Sequence, residues 1–454
     1  MLKSLNKYIY TLLFLSLAWV GTAQTTNNGS GVTDNSPYSR LGLGDLVNQN
    51  FAASNGMGNL SATLHDPLHL NILNPASYAH LQATAFEVGF YSEYANLKNG
   101  EQATNFWNGN LNYLAVGFPI KNPINKVLDK DRSPWSWGMN ISLTPYSRVN
   151  YDIETEVQID TLTTSNFFRG TGGTYKLLWG NGVRYKNLSI GVNAGFIFGK
   201  ISNERLVSFD NAEPPFFFND LSDDFSINGF VWNAGIQYDI ILEQKETTTS
   251  TAFVGKRIIL GAYGNSNMGI TTNTSQLYTR IAVPSTFANN TDTLVVTDER
   301  IEDGQLPAEF SLGMMYEHTD RFRLGLNASY GYWTNYVNAN QENDLLNTYE
   351  YAIGMEIIPN VLSYNNYWDR VRYRFGAFYG TDARSLEGEQ LQKYGLTLGF
   401  GLPIILPRQQ TSFVNIAFEA GRFGVTDALH ENYIRMTVGF TLNDNTWFFK
   451  RKFN

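Results

Sequence analysis

Residues equipped for chemistry are few in this chain, and their spacing argues against catalysis. His65 and His69 stand four apart, the spacing that would set two imidazoles on one helix face as metal ligands. Pro67 falls between them and no glutamate follows His65, so the zinc-hydrolase pattern is absent and a structural role in the N-terminal region is expected. Asn219, Asp220, Asp223 and Asp224 could offer oxygens to Ca2+, but they do not follow the EF-hand spacing and read as a solvated external loop. No Ser-His-Asp set, phosphate-binding loop or paired-carboxylate signature is legible. Four of the five histidines fall outside the predicted strands. No enzymatic activity, cofactor or metal is therefore expected.

The elements that must position any site are β-strands. In Leu188–Gly199, the residues Leu188, Ile190, Val192, Ala194, Phe196 and Phe198 share one face. Ser189, Gly191, Asn193, Gly195 and Gly199 share the other, and only Ile197 breaks step. Phe322–Tyr332 repeats the pattern with Arg323, Gly325, Asn327, Ser329 and Gly331 on the polar face. Period two is the strand signal. An apolar face backed by glycine, small polar residues and arginine suits a transmembrane antiparallel β-barrel, with lipid outside and a wet or filled lumen inside. Fourteen strands are predicted between residues 83 and 443. The connections 210–224 and 273–304 are expected as long external loops. A barrel this wide cannot be filled by its strand side chains alone, so an internal plug is required. Arg323, Arg374, Glu419 and Arg435 have inward parity and would form a lumen charge ladder holding that plug, rather than a selectivity filter.

Composition agrees. Charged residues make up 16% of the 454-residue chain, below the ~25% usual in soluble domains, as expected where the outer surface meets lipid. The net charge of −8 argues against a nucleic-acid partner. With no cysteine, disulfides, thiolate sites and a lipid-anchoring cysteine are excluded. Lys3 and Lys7, the apolar run Tyr8–Val20 and Gly21-Thr22-Ala23 predict a signal peptide over 1–23, cleaved before Gln24. The expected organisation is then an N-terminal tail and hatch over 24–82, a barrel over 83–443 and a periplasmic tail over 444–454. That tail contains Trp447, Phe448, Phe449 and three cations, suited to a membrane interface.

Gly56-Met57-Gly58, then Asp66, then Asn74-Pro75-Ala76 precede the first predicted strand. Together they resemble the hatch of the FadL-like family of outer-membrane transporters for hydrophobic compounds. Leu306–Gly313, with the hairpin leading to Arg321–Gly325, resembles that family's Pro-led strand and following hairpin. Tyr394–Pro403 and the Lys450-Arg451-Lys452 ending are similar to barrels of Bacteroidota outer membranes. The resemblance implies a fourteen-strand barrel in the outer membrane of a Gram-negative bacterium, with Gly56, Gly58, Asp66, Asn74, Pro75 and Ala76 shaping the hatch. It carries two functional expectations. A transporter would bind or pass a hydrophobic small molecule through an apolar pocket beside the hatch and a lateral gap or kinked strand. An accessory subunit of type IX secretion, PorV-like, or of a barrel-assembly complex would have envelope protein partners, a sealed lumen and an exposed apolar patch. Phe216, Phe217 and Phe218 follow two prolines in a predicted external loop and form a candidate contact patch of that kind.

Overall fold

The computed structural model describes residues 36–445, apart from 101, 121–133, 160–161, 210–215, 247–251, 284–290, 339–343, 407–409 and 426–427. The expected signal peptide, the residues up to 35 and the aromatic tail from Trp447 lie outside the described residues. The first strand, β1 (Asp45–Leu46), is short and belongs to the N-terminal segment. Long strands follow: β2 (Thr84–Asn99), β3 (Gln102–Pro119), β4 (Trp135–Ile159), β5 (Leu162–Tyr185), β6 (Leu188–Phe209), β7 (Phe216–Glu246) and β8 (Ala252–Asn265). Next come β9 (Met268–Val283), β10 (Thr291–Leu306), β11 (Glu309–His318), β12 (Phe322–Gly331) and β13 (Thr348–Ile357). The chain ends with β14 (Arg372–Leu386), β15 (Glu389–Leu406), β16 (Gln410–Gly424) and β17 (Leu429–Asp444).

Fourteen of these strands, β2–β8 and β11–β17, form a closed antiparallel barrel. β8 pairs with β11 in register from Glu309↔Asn265 to His318↔Lys256. β17 closes on β2 from Leu429↔Asn99 to Asp444↔Thr84. Closure is what a sheet in lipid requires, because an open edge leaves backbone donors and acceptors unsatisfied. We call the end holding Thr84 and Asp444 the near end, and the opposite end the far end.

The region 273–304, expected as a loop, is instead a hairpin. β9 pairs with the first half of β7 from Phe216↔Val283 to Asn228↔Thr271, and β10 pairs with β9. The hairpin stands beyond the far end of β8, where neither face meets a wall of lipid, so its threonine-rich sequence lacks the apolar alternation that marks the other strands. Phe216, Phe217 and Phe218 are likewise not in a loop but open β7, paired to β9.

The apolar alternation is the barrel's outer face. Ile190, Phe196 and Leu396 are 54%, 59% and 69% exposed and point outward, while the neighbouring Ser189, Asn193 and Thr397 are buried inside. Ile197 is fully buried because it points inward. It joins Ile201, Phe225, Ile227, Ile270, Leu306 and Trp333 in an apolar cluster in the far half of the lumen. The near half is occupied by residues 47–83 of the N-terminal segment, the hatch, while residues 36–46 lie toward the far end, where Tyr38 Oη donates to Leu429 O.

At the near end, β13 and β14 are joined by a turn carrying Leu362, Tyr364 and Trp368, which are 87%, 95% and 61% exposed. Its backbone is pinned: Asn360 N donates to Asp369 O at 2.8 Å, and Tyr367 Oη to Pro403 O at 3.2 Å.

Candidate functional site: the hatch, its cavity and a gap in the wall

The hatch has little helix. It makes a four-residue helical turn at Ala52–Asn55 and a 3-10 turn at Pro75–His80. Asn74 caps the second turn, its Oδ1 accepting from Ala76 N at 3.2 Å, and Pro75 opens it with its φ already set. Asn74 Nδ2 donates to Ala62 O at 2.6 Å, tying two parts of the hatch together.

The wall receives this backbone on glycines. A Cβ on Gly182 or Gly191 would strike the carbonyl of Pro75, one on Gly235 the Asn74 side chain, and one on Gly138 the Tyr78 carbonyl. On the opposite wall, Gly354 and Gly376 touch Met57 and Gly58, and Gly399 touches Gly56. Gly58 lies at φ +66°, and its N–H donates to Thr397 Oγ1 at 2.8 Å. The small inward residues of the strand pattern are therefore the seat of the hatch main chain.

Charge fixes what shape begins. Asp66 Oδ2 accepts from Arg372 Nη1 at 2.6 Å and from Arg323 Nη1 at 3.2 Å, while Oδ1 accepts from Leu68 N at 2.9 Å. Burial opposes ionisation of this carboxyl, but its cationic neighbours, Arg372 foremost, outweigh burial and hold it well below the ordinary carboxylate range. Arg323 also approaches Glu356 at 3.4 Å and Glu317 at 3.6 Å.

Arg374, Glu419 and Arg435 face inward but pair with the wall. Arg374 Nε donates to Glu356 at 2.7 Å, and Arg435 to Glu93 at 2.6 Å, with Glu419 at 3.7 Å. Of the four charges singled out from the sequence, Arg323 touches the hatch directly. The partners Arg372, Glu356 and Glu93 were missed, although they alternate inward on their own strands and this parity could have found them.

His65 and His69 are not on a helix. His65 stacks on His80 at a centroid distance of 3.6 Å, and His69 lies 3.6 Å from Glu87. Burial, and then neighbouring positive charge, hold His65 and His80 well below the usual imidazole range and so neutral. The Asn219–Asp224 group does not converge: it lies within β7, where successive side chains alternate faces. Asp224 pairs with Lys200 at 2.9 Å, and Asp223 accepts from Gln276 at 2.9 Å.

Above the hatch is a cavity of about 370 Å3. Its walls include Glu93, Glu350, Arg384, Lys393, Glu419 and Arg435. Lys393 pairs with Glu350 at 2.5 Å, and Arg384 with Asp45 at 2.6 Å. The space is lined by these ion pairs together with aromatic side chains, Tyr91, Phe106, Tyr349 and Phe378 among them.

The barrel wall beside this cavity is incomplete. β3 and β4 pair only from Leu114↔Leu143 to Pro119↔Gly138, and beyond that they part. At Pro145–Ser147 the register of β4 against β5 shifts, and β4 bends into the lumen. The freed edge of β4 is covered from within, where Asp45 and Leu46 of β1 pair with Arg148 and Ser147. Arg148 Nη2 reaches across and donates to Leu111 O at 3.0 Å.

The family model described as BamG matches residues 1–454. No curated protein matches the chain. Among solved structures, the chain is similar to the Ralstonia pickettii toluene transporter TbuX at a TM-score of 0.51 and 12% identity, covering 87% of this chain and 98% of that one. The Pseudomonas putida toluene transporter TodX is similar at a TM-score of 0.49 and 14% identity, covering 89% and 99%. A Pseudomonas aeruginosa FadL homologue gives 0.48 and 14%, covering 87% and 98%. At such identities the likeness is one of fold.

Proposed function

The chain belongs to the BamG family, matched over its whole length, and from that premise we propose that it is an accessory barrel subunit of an outer-membrane assembly complex in a Gram-negative bacterium. The reading is supported by one observation: the N-terminal segment is fastened within the lumen by fitted contacts and buried ion pairs. The hatch is seated on glycine and bolted through Asp66, ion pairs border the remaining cavity, and an apolar cluster packs part of the far half. Membership of the BamG family supports envelope proteins as partners. On a pinned turn, the exposed Tyr364 and Trp368, flanked by exposed Leu362, supply aromatic anchors of the kind that dominate protein interfaces. Export through a cleaved signal peptide over 1–23 belongs to the same reading.

A second reading, passage of a hydrophobic compound, is favoured by the parting of β3 from β4, which opens the wall toward lipid. One experiment separates the two. The tagged protein is isolated in mild detergent, and co-purifying proteins and lipids are identified by mass spectrometry. Stoichiometric envelope proteins without a bound apolar molecule support the accessory subunit. Recovery alone with a stoichiometric apolar ligand refutes it.

A further inference from the structure

Among the described residues, two adjacent barrel strands, β3 and β4, lack hydrogen-bonded neighbours along most of one edge. The one without an inner partner is β3. From Gln102 to Tyr113 it pairs with β2 alone among the described residues, and its other edge faces the gap. The facing edge of β4 bends away and is held at Ser147 and Arg148 by β1, so that stretch cannot return to serve β3 without displacing the N-terminal segment.

The open run is as long as the ~9–11 residues that cross a bilayer. Its outward residues Trp107 and Leu111 are exposed, and Trp107 packs on Tyr94 at 5.1 Å, an aromatic pair of the kind that marks a membrane interface. Leu111 turns its carbonyl toward the gap, where Arg148 takes it, and its N–H donates to Asn110 Oδ1 at 2.7 Å, both contacts that an added strand would exchange for its own. By strand parity Gly109 and Trp107 turn their backbone groups the same way. Acyl chains and apolar small molecules offer nothing to a row of amides and carbonyls; another extended backbone satisfies the whole row at once.

We propose that the Gln102–Tyr113 edge of β3 is a docking site for an extended segment of a partner envelope protein, which adds as a strand and completes the barrel wall. The inference rests on the accessory-subunit reading and names where that subunit is held. The partner segment needs apolar side chains on its lipid face, to continue the band set by Trp107 and Leu111, and small or polar ones on its lumen face.

The test is photo-crosslinking in living cells. Benzoylphenylalanine replaces Trp107 or Leu111 at the gap, and Phe196 on the outer face of β6 serves as the control. The expected result is a discrete protein adduct from both gap positions and none from the control. Peptide mapping should place the two attachment points about four residues apart on one partner segment, because strands in register keep their spacing. Adducts of lipid mass only, adducts equal to those of the control, or attachment points scattered over the partner would overturn the proposal. Gly109→Pro, which removes an edge N–H, should lower the Leu111 adduct at least tenfold while the barrel keeps its heat-modifiable migration. An undiminished yield in a folded variant counts against strand addition. Partners recovered in detergent without gap adducts refute the docking site and leave the accessory reading standing; no partner by either route removes both.

Discussion

Replacing Asp66 by asparagine tests whether the hatch is bolted or merely packed. The substitution keeps the shape and the Oδ1 acceptor for Leu68 N, but removes the charge that receives Arg372 at 2.6 Å and Arg323 at 3.2 Å. Breaking a buried ion pair from one side costs about 3–5 kcal/mol, because the remaining charge is left uncompensated. Here Arg323 retains Glu356 at 3.4 Å and Glu317 at 3.6 Å, so the lower end applies, about 3 kcal/mol. At 1.4 kcal/mol per tenfold, that is roughly a hundredfold rise in the opening equilibrium of the hatch. Amide hydrogen exchange of the detergent-solubilised protein, read on peptides from 60–82 and on barrel peptides, measures it directly. The expected outcome is a roughly hundredfold loss of protection in the hatch with the barrel strands unchanged. Hatch protection within threefold of the parent would show that Asp66 is not an anchor. Equal loss in hatch and barrel would show that the two do not open separately.

Other consequences are open to measurement. His65 and His80 are held neutral, so the folded state binds fewer protons than the unfolded one; their contribution is present above about pH 6.5 and is lost as pH falls below it. Hatch protection should therefore weaken between pH 7.5 and 5.5, by up to about 1.4 kcal/mol per pH unit for each imidazole, and His65→Asn should flatten that dependence. Gly191→Val drives side-chain atoms into the Pro75 carbonyl and should destabilise the seated hatch by about 1–3 kcal/mol, read as proteolytic cleavage within 60–82 while the barrel persists. Exchanging Leu362, Tyr364 and Trp368 together for serine removes exposed side chains that support no core. The barrel's melting temperature should stay within a few degrees while partner recovery in the detergent pull-down falls at least tenfold.

The sequence showed most of the wall and little of what lies within it. Strands such as Leu188–Gly199 announce themselves because lipid on one side and the hatch on the other impose opposite demands at every second residue. β9 and β10 meet no such contrast and read as loop, and Phe216–Phe218 were drawn into the same error. Ile197 breaks the pattern because the pattern assumes a polar interior, whereas the part of the lumen that Ile197 meets is an apolar cluster. Parity identified Arg323 as inward, but not Asp66 as its partner, since 257 residues separate them. The parting of β3 and β4 leaves no local trace beyond Pro145, because it is a matter of which strands pair and not of what each strand is.

The glycine seat also constrains how the molecule comes to exist. Hatch residues rest on Gly182, Gly191 and Gly235 from one half of the chain and on Gly354, Gly376 and Gly399 from the other. Such fitted contact on opposite walls leaves no clearance for the hatch to slide in once β17 has zipped onto β2. The hatch, which precedes every long strand in the chain, is thus a mandrel around which the later strands wrap, and ring closure becomes the last step of folding rather than the first.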